Sequence, residues 1–142
     1  MVHVVNKGKE GEREFIKFLQ PMVDEVYSKL GLEPIKLFRN QNQSALGGYD
    51  IDGIPWLAIE IKRQEALSIN TWWNQVLKAT GEHQVPLLAF RQNRQKWRFM
   101  VWSHIHTGGS GYVQVRSELN KEDFERWFKA RLAYEAVQEG GV

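Results

Sequence analysis

A largely apolar stretch at residues 49–65, YDIDGIPWLAIEIKRQE, carries charged side chains whose types could do chemistry together. Those of interest are Asp50, Asp52, Glu60 and Lys62. Carboxylates placed side by side repel one another unless a cation or a proton lies between them. Oxygen ligands favour a hard divalent ion such as Mg²⁺, and a nearby lysine can hold or deprotonate an attacking water or steady a phosphate. This combination suits hydrolysis of a phosphodiester bond.

Two neighbouring strands of a hairpin are predicted to bring these side chains together. Successive side chains of a strand point to opposite faces, so Glu60 and Lys62 share one face and the apolar residues beside them take the other. With a three-residue connection between the strands, Asp50 lies opposite Ala58, which places its carboxylate on the face of Glu60. A register shifted by one residue would separate the carboxylates. The alternative is a half-exposed hairpin whose outer face carries ordinary cross-strand charge pairs.

The remaining periodicities predict helices and strands that would support this hairpin. Apolar residues at helical spacing run from residue 8 to residue 31, and Pro21 should kink that helix or split it in two. The predicted order is helix, three strands, helix, two strands and a closing helix, which indicates a mixed sheet covered by helices. The predicted elements are a helix at 8–31, strands at 35–39, 49–53 and 56–63, a helix from Ser68 or Asn70 to about Thr80, strands at 86–91 and 97–103, and a helix that Asn120 caps, with an additional short edge strand suggested at 111–115.

The composition limits the class of protein. The 142 residues are the length of one ordinary domain, so we expect a single domain over 1–142. The chain is 42% hydrophobic and 25% charged, as in soluble globular proteins, and no apolar run approaches the roughly 20 residues that span a bilayer. Cysteine is absent, which excludes disulfides and thiolate metal sites and fits a reducing interior. We therefore expect a cytoplasmic protein without a membrane partner.

The charged residues of the hairpin resemble the motif of the PD-(D/E)xK nuclease superfamily. Asp50 resembles the aspartate of that motif, and Glu60-Ile61-Lys62 resembles its E-x-K, while Tyr49 stands where the motif has proline. Within the superfamily, the chain resembles the archaeal-type Holliday junction resolvases.

A second, independent match lies near the start of the chain. The segment KGKEGEREFI at residues 7–16 is similar to the resolvases' opening K-G-x-x-x-E-R-E-L-V, in which the first glutamate of E-R-E joins the metal site; here that residue is Glu12. Arg39 and Ser44, the latter in a polar loop with two glycines, resemble the family's R…S-G segment. Gln75 stands where many superfamily members carry a glutamine on the helix after E-x-K.

The resemblance implies a fold, a cofactor and a set of site residues. The fold would be α/β, with a restriction-endonuclease-like αβββαβ core, a mixed central sheet flanked by helices, and a closing C-terminal helix. The cofactor would be Mg²⁺, for which Mn²⁺ would substitute, and Lys62 would act on the attacking water. The implied metal ligands are Asp50, Glu60, the Ile61 carbonyl and Glu12. The implied catalytic residues are Asp50, Glu60, Lys62, Glu12 and Gln75.

Basic residues supply candidates for contacts with DNA. The formal net charge is only +2, which is a mild indication of an anionic partner. Binding through phosphates would depend steeply on salt concentration and little on base sequence. The candidate DNA-binding residues are Lys9, Arg13, Arg39, Ser44, Arg63 and Arg91.

These patterns together predict a Mg²⁺-dependent DNA endonuclease. The likeness of the opening segment to resolvases favours branched DNA such as a four-way junction, which a two-fold homodimer would cut symmetrically. Trp72, Trp73 and the aromatic C-terminal helix offer apolar side chains for the dimer interface. Two alternatives stay open: a nuclease of repair, recombination or restriction type acting on ends, flaps or duplex, and a non-catalytic DNA-binding protein that keeps the nuclease fold.

Overall fold

Three helices and six strands make up the part of the chain that the structure, a computed structural model, describes, which is residues 4–40 and 49–139. Their order is helix, three strands, helix, three strands and helix, so the structure has one strand more after the second helix than the predicted order. Ser44 and the rest of 41–48 lie outside the described residues. The elements are α1 (Val4–Lys29), β1 (Phe38–Arg39), β2 (Ile51–Asp52), β3 (Leu57–Arg63), α2 (Ile69–Ala79), β4 (Val85–Arg91), β5 (Arg98–Gly108), β6 (Gly111–Leu119) and α3 (Lys121–Glu139).

The first helix, α1, is continuous through Pro21, so the expectation that the proline could split it was wrong. A proline inside a helix removes one backbone hydrogen bond and costs about 3 kcal/mol. The apolar face of α1 offsets this cost, because Phe15 and Leu19 before the proline and Val23 after it are fully buried. Burying one such side chain stabilises a fold by about 1.5–3 kcal/mol. Tertiary packing on both sides of Pro21 therefore keeps the helix intact.

A four-stranded mixed sheet in the order β3-β4-β5-β6 forms the centre of the fold. β3 and β4 run parallel, with Glu60 beside Leu88 and Lys62 beside Phe90. Each of the next two strands is antiparallel to its neighbour. β4 lies inside the sheet with residues 86–90 buried, as its nearly all-apolar sequence predicts. Because parallel strands need a crossover connection, α2 passes over the sheet between β3 and β4.

Helices cover both faces of this sheet and create two apolar cores. α1 and α3 pack on the face that carries Leu57 and Ile59. On the other face, α2 packs with Trp72 against Phe90, their ring centroids 5.8 Å apart, and Trp73 lies in the same core. Both tryptophans are only 4% exposed. They are core side chains, so they are not available for the dimer interface considered from the sequence.

A short antiparallel pair, β1 and β2, lies beside β3 and brings Asp50 to it. The Asp50 N–H donates a hydrogen bond of 2.7 Å to the Ile59 carbonyl. The predicted hairpin of 49–53 with 56–63, in which Asp50 lies opposite Ala58, was therefore wrong: β2 pairs with β1 in a separate two-stranded sheet, and Asp50 bonds to Ile59. Asp50 precedes the paired residues of β2, so the pleat of that strand does not hold its side chain to one face. Its carboxylate still reaches the edge of β3.

The last two strands are longer than predicted and form a two-stranded ribbon. The predicted strands were 97–103 and 111–115, whereas β5 continues to Gly108 and β6 to Leu119. Pairing extends to Gly108 and Gly111, and a tight turn closes the ribbon with φ of 113° at Gly108 and 57° at Gly109. Glycine adopts such positive φ values without steric cost. The extra length follows from this turn, because it keeps the two strands paired beyond the body of the sheet.

The closing helix, α3, begins where the sequence predicts. The Asn120 side-chain oxygen accepts a 2.8 Å hydrogen bond from the Asp123 N–H, which satisfies one of the free donors at the helix start. Phe124, Phe128 and Leu132 are buried between α3 and the rest of the fold. Among the described residues, no helix is both long enough and apolar enough to cross a membrane.

Candidate active site

A cleft of about 480 Å³ lies at the carboxyl end of β3, next to the start of α1. Glu60 and Lys62 reach it from β3, Asp50 from the segment before β2, and Glu12 from α1. Ligand sites of open α/β sheets characteristically lie at the carboxyl ends of parallel strands. The structure therefore gathers the predicted carboxylates and the predicted lysine in one cleft. The other lining residues are Gly8, Ile61, Arg63, Gln64, Glu65 and Ala66.

Asp50 is fixed against the edge of β3 by both its backbone and its side chain. In addition to the bond from its N–H to Ile59, its Oδ2 accepts a 2.6 Å hydrogen bond from the Ile61 N–H. Burial, followed by the nearby Glu60 carboxylate, raises the pKa of Asp50 to about 8, although the bond from Ile61 acts in the opposite direction. A carboxyl group in this position needs either a proton or a cation beside it.

Glu60 and Lys62 share one face of β3, as the alternation of its side chains predicts. The Lys62 Nζ lies 3.5 Å from the Glu60 Oε1, and the two side chains are only 19% and 13% exposed. Burial raises the pKa of Glu60, while the Lys62 ammonium opposes that rise. Glu60 is therefore a half-buried carboxylate whose pKa stays raised despite the Lys62 ammonium beside it.

A glycine of α1 allows the helix to approach β3 and place Glu12 at the cleft. A Cβ atom on Gly11 would lie 3.3 Å from the Arg63 Cβ and 3.6 Å from the Ile61 Cγ2, which leaves little room for any side chain. Glu12 is buried, and its Oε1 lies 3.2 Å from the Arg39 Nε. Glu12 is thus ion-paired with an arginine that the sequence suggested as a DNA contact.

The donor set of the cleft fits a hard divalent ion held by few protein ligands. Among residues 4–40 and 49–139, no three His, Cys, Asp or Glu side chains are grouped so that they could hold a metal ion. Burial and neighbouring carboxylates raise the pKa values of Asp50 and Glu60, so a cation beside them would stabilise their charged forms. Mg²⁺ commonly binds one or two protein carboxylates and completes its shell with water and substrate phosphate. Asp50 and Glu60 meet that requirement.

Two more of the arginines suggested as DNA contacts are ion-paired with α1. Glu14 lies between them, 3.5 Å from the Arg63 Nη1 and 2.8 Å from the Arg91 Nε. Glu10 adds a further pair with Arg63 at 3.6 Å. These contacts fasten α1 to β3 and β4 beside the cleft, and they partly neutralise both arginines.

The structure does not bring every predicted site residue to the cleft. Lys9 and Arg13 are exposed on α1. Gln75 is exposed on α2 and is not among the residues that line the cleft. Asp52 is half-buried in the β1–β2 pair and does not line the cleft either. The predicted role of Ser44 lies outside the described residues.

One connection at the rim of the cleft was not predicted from the sequence. The turn between β4 and β5 is bonded to Glu65, which lines the cleft: the Gln92 Nε2 donates to the Glu65 carbonyl and the Asn93 N–H donates to the Glu65 Oε1, each at 2.7 Å. No periodicity links residues 27 and 28 positions apart. Gly11 did carry a signal, because a glycine inside a helical pattern often marks close packing.

The chain was compared with known protein families and curated proteins. Residues 3–125 match the family described as "Phage putative PDDEXK endonuclease". The chain belongs to this PDDEXK endonuclease family. No curated protein matches the chain in sequence. Family membership supports a nuclease function.

A solved structure shares the fold of this PDDEXK family member. Hjc from Archaeoglobus fulgidus, described as a Holliday junction resolvase from an archaeal hyperthermophile, matches with a TM-score of 0.50 and 18% sequence identity. The match covers 84% of this chain and 95% of the Hjc chain. At this identity the likeness establishes the fold alone, and it confirms the predicted α/β nuclease fold.

Proposed function

We propose that the chain is a divalent-metal-dependent DNA endonuclease with its active site in the cleft of Asp50, Glu60 and Lys62. The supporting observation is the 2.6 Å bond between the Ile61 N–H and the Asp50 carboxylate. This bond sets an aspartate from one segment beside the E-x-K sequence of β3, so that two carboxylates and a lysine line one cleft. The match to an endonuclease family supports a nuclease function for this arrangement.

Mg²⁺ is the proposed cofactor, with Mn²⁺ as a substitute. Asp50 and Glu60 would hold the ion together with the Ile61 carbonyl. The N–H and C=O of one strand residue point to the same edge, so the Ile61 carbonyl faces the edge where its N–H meets Asp50. Bound there, the ion supplies Lewis-acid stabilisation of negative charge on the phosphate.

Lys62 is the residue that we assign to the attacking water. Its ammonium is held 3.5 Å from Glu60 and is mostly removed from solvent, so it occupies a defined position beside the proposed metal ligands. From there the ammonium can hold the water by a hydrogen bond and stabilise negative charge that develops on the phosphate oxygens, whereas only the neutral amine form of Lys62 could take a proton from that water. Glu12 supports the site by adding negative charge near Asp50 and Glu60.

The Glu12→Gln substitution should lower the rate of Mg²⁺-dependent DNA cleavage about 10- to 100-fold, the usual effect of removing a group that supports a metal site. Glutamine keeps the shape of the side chain but removes a charge that acts on Asp50 and Glu60. Glu10→Gln is the control, because Glu10 lies on the same helix but is exposed. Initial cleavage rates of both variants would be measured, and equal losses would remove Glu12 from the site.

The proposed substrate is branched DNA, such as a four-way junction. The proposed location of the protein is the cytoplasm. The resolvase-like opening segment and the fold shared with Hjc support this choice. Resolving a junction takes two symmetric cuts, which a two-fold homodimer with one site per chain would supply. Large apolar side chains that stay exposed on the β5–β6 ribbon, and so are available to a dimer interface, are Ile105, Tyr112 and Val113.

Substrate choice and assembly can be tested with the purified wild-type protein. We expect a mass in solution of twice 16.6 kDa, and nicking of a four-way junction about tenfold faster than nicking of linear duplex, a difference of about 1.4 kcal/mol. Single strands and flaps complete the substrate set. A monomer that cuts linear duplex as fast as junctions would favour a repair, recombination or restriction-type nuclease and leave the metal site intact.

A further inference from the structure

The turn between β4 and β5 holds an arginine in a backbone conformation that arginine rarely adopts. Arg94 has a φ of 62°, and it is the only non-glycine residue with positive φ in the described part of the chain. The Gln95 N–H donates a 3.1 Å bond to the Gln92 carbonyl, which makes Arg94 the third residue of a four-residue turn. Glycine or asparagine is usual at a third position with positive φ.

Packing does not explain why arginine occupies this position. The Arg94 side chain is exposed, and among the described residues none forms a hydrogen bond or ion pair with it. Residues held in strained conformations without a packing reason concentrate at functional sites. We therefore expect the side chain of Arg94 to contact a ligand.

The turn lies at the catalytic end of the sheet. Arg63 and Arg91 are the last paired residues of β3 and β4, and the turn follows directly after Arg91. Glu65 accepts the two 2.7 Å bonds from Gln92 and Asn93, so the turn is fastened to the lining of the cleft. Arg94 therefore lies at the rim of the proposed active site, on a turn that is held there by these two hydrogen bonds.

The charge around Arg94 favours an anionic ligand. No Asp or Glu occurs in sequence between His83 and Ser117. The carboxylate that contacts the turn, Glu65, accepts its bond there from the Asn93 N–H. By contrast, Arg63 and Arg91 face carboxylates of α1 at 2.8–3.6 Å. The guanidinium of Arg94 thus keeps its full charge and its five donors for a ligand outside the protein. Phosphate oxygens are acceptors that this planar group binds well.

We infer that Arg94 binds a DNA phosphate next to the one that is cut and thereby positions the substrate in the cleft. The inference rests on the proposed nuclease function. The bonds to Glu65 link the position of this contact to the end of β3, where Glu60 and Lys62 act. Arg94 is a positioning residue, since it acts on the substrate away from the reacting phosphate.

The Arg94→Gly substitution separates DNA binding from folding, because glycine accepts the backbone conformation of Arg94 without strain. We expect this variant to unfold at the same temperature as the wild type or higher, yet to bind DNA several-fold more weakly. The slope of log Kd against log salt concentration should fall by about 0.9, the value for one phosphate contact. Fluorescence anisotropy with labelled duplex and four-way junction in EDTA, at several salt concentrations, measures both quantities.

Two further variants sharpen the test. Arg94→Lys keeps the charge and should retain most of the wild-type salt slope. Arg126→Ala removes an arginine of α3 whose side chain is 86% exposed, and it should leave affinity and slope unchanged. If Arg94→Gly keeps the affinity and slope of a wild type that binds DNA, or if Arg126→Ala lowers the slope equally, the inference is wrong and the proposed nuclease function stands. A wild type that binds no DNA even at low salt would overturn both.

Discussion

Replacing Asp50 by Asn is expected to stabilise the metal-free protein and to abolish DNA cleavage. Asp50 is buried, and the Glu60 carboxylate acts on it, so its pKa is raised to about 8. Asparagine retains an oxygen for the bond from the Ile61 N–H but carries no charge. At alkaline pH the gain in the free energy of unfolding should be on the order of a few kcal/mol. The same change removes a proposed metal ligand, which explains the loss of cleavage.

The pH dependence of this stabilisation follows from the direction of the shift in pKa. Between pH 3.8, the usual pKa of an aspartic acid side chain, and about pH 8, the folded protein binds a proton on Asp50 that the unfolded chain has released. Stability from this group is therefore fully present below about pH 4 and is lost as the pH rises through 8. Since asparagine does not titrate, the advantage of the variant over the wild type should grow across this window and level off above it.

Thermal unfolding in EDTA at several pH values between 4 and 9 measures the effect. Asp52→Asn is the matched control, because it changes a nearby carboxyl that does not line the cleft, and its pH dependence should follow the wild type. Added Mg²⁺ should raise the unfolding temperature of the wild type and of Asp52→Asn but not that of Asp50→Asn. If the unfolding temperatures of wild type and Asp50→Asn changed identically with pH, the proposal that Asp50 is a buried carboxyl group with a raised pKa would be contradicted.

The Lys62→Ala substitution is expected to lower the rate of DNA cleavage about 10²- to 10⁴-fold, the range that positioned proton-transfer groups contribute. Alanine removes the group that we assign to the attacking water, and it also leaves the Glu60 carboxylate without its ammonium 3.5 Å away. DNA affinity in EDTA should change little, because one half-buried lysine is a small part of the basic surface. Single-turnover cleavage with saturating protein separates the chemical step from binding.

A control for Lys62→Ala is available on α1. Lys29 is 74% exposed and, among the described residues, its ion pair is with Glu25 on its own helix, so Lys29→Ala removes the same charge without touching the cleft. It should cleave at the wild-type rate. Full activity in Lys62→Ala would contradict the mechanism proposed for this site.

Local patterns were sufficient to predict the features that depend on a single strand. The alternation along β3 predicts that Glu60 and Lys62 share a face, and the apolar run of β4 predicts a strand inside the sheet. Both features depend on the periodicity of a single strand and on burial. The element order followed from the same reasoning except for β6, which the sequence suggested only as an additional edge strand, and the family match confirmed the resemblance on which the fold assignment rested.

Features set by contacts between distant segments were not predicted. The β1–β2 pair replaces the predicted hairpin, and the position of Asp50 beside β3 depends on a backbone bond to Ile59 that no periodicity encodes. Pro21 would break an isolated helix, yet packing on both sides of it keeps α1 whole. In each case the tertiary contacts outweighed the local preference on which the prediction relied.

The ion pairs that charged residues form could not be predicted from the sequence either. Arg63 and Arg91 had the charge expected of DNA contacts, but Glu14 of α1 pairs with both. Arg94, which lies in a less noticeable turn, keeps its charge available among the described residues. A count of basic residues cannot distinguish these cases, because the distance between a helix and a strand end decides which guanidinium groups remain unpaired.

The most direct test of the central claim is cleavage of labelled four-way junction and linear duplex by wild type and Glu60→Gln, each in Mg²⁺ and in EDTA. Glu33→Gln, which changes an exposed carboxyl after α1, controls for the loss of a charge. The proposal predicts products from wild type and Glu33→Gln in Mg²⁺ only, and none from Glu60→Gln, although all three bind DNA. Binding without products from the wild type in Mg²⁺ would instead identify a non-catalytic DNA-binding protein, and products from Glu60→Gln or in EDTA would contradict the proposed site.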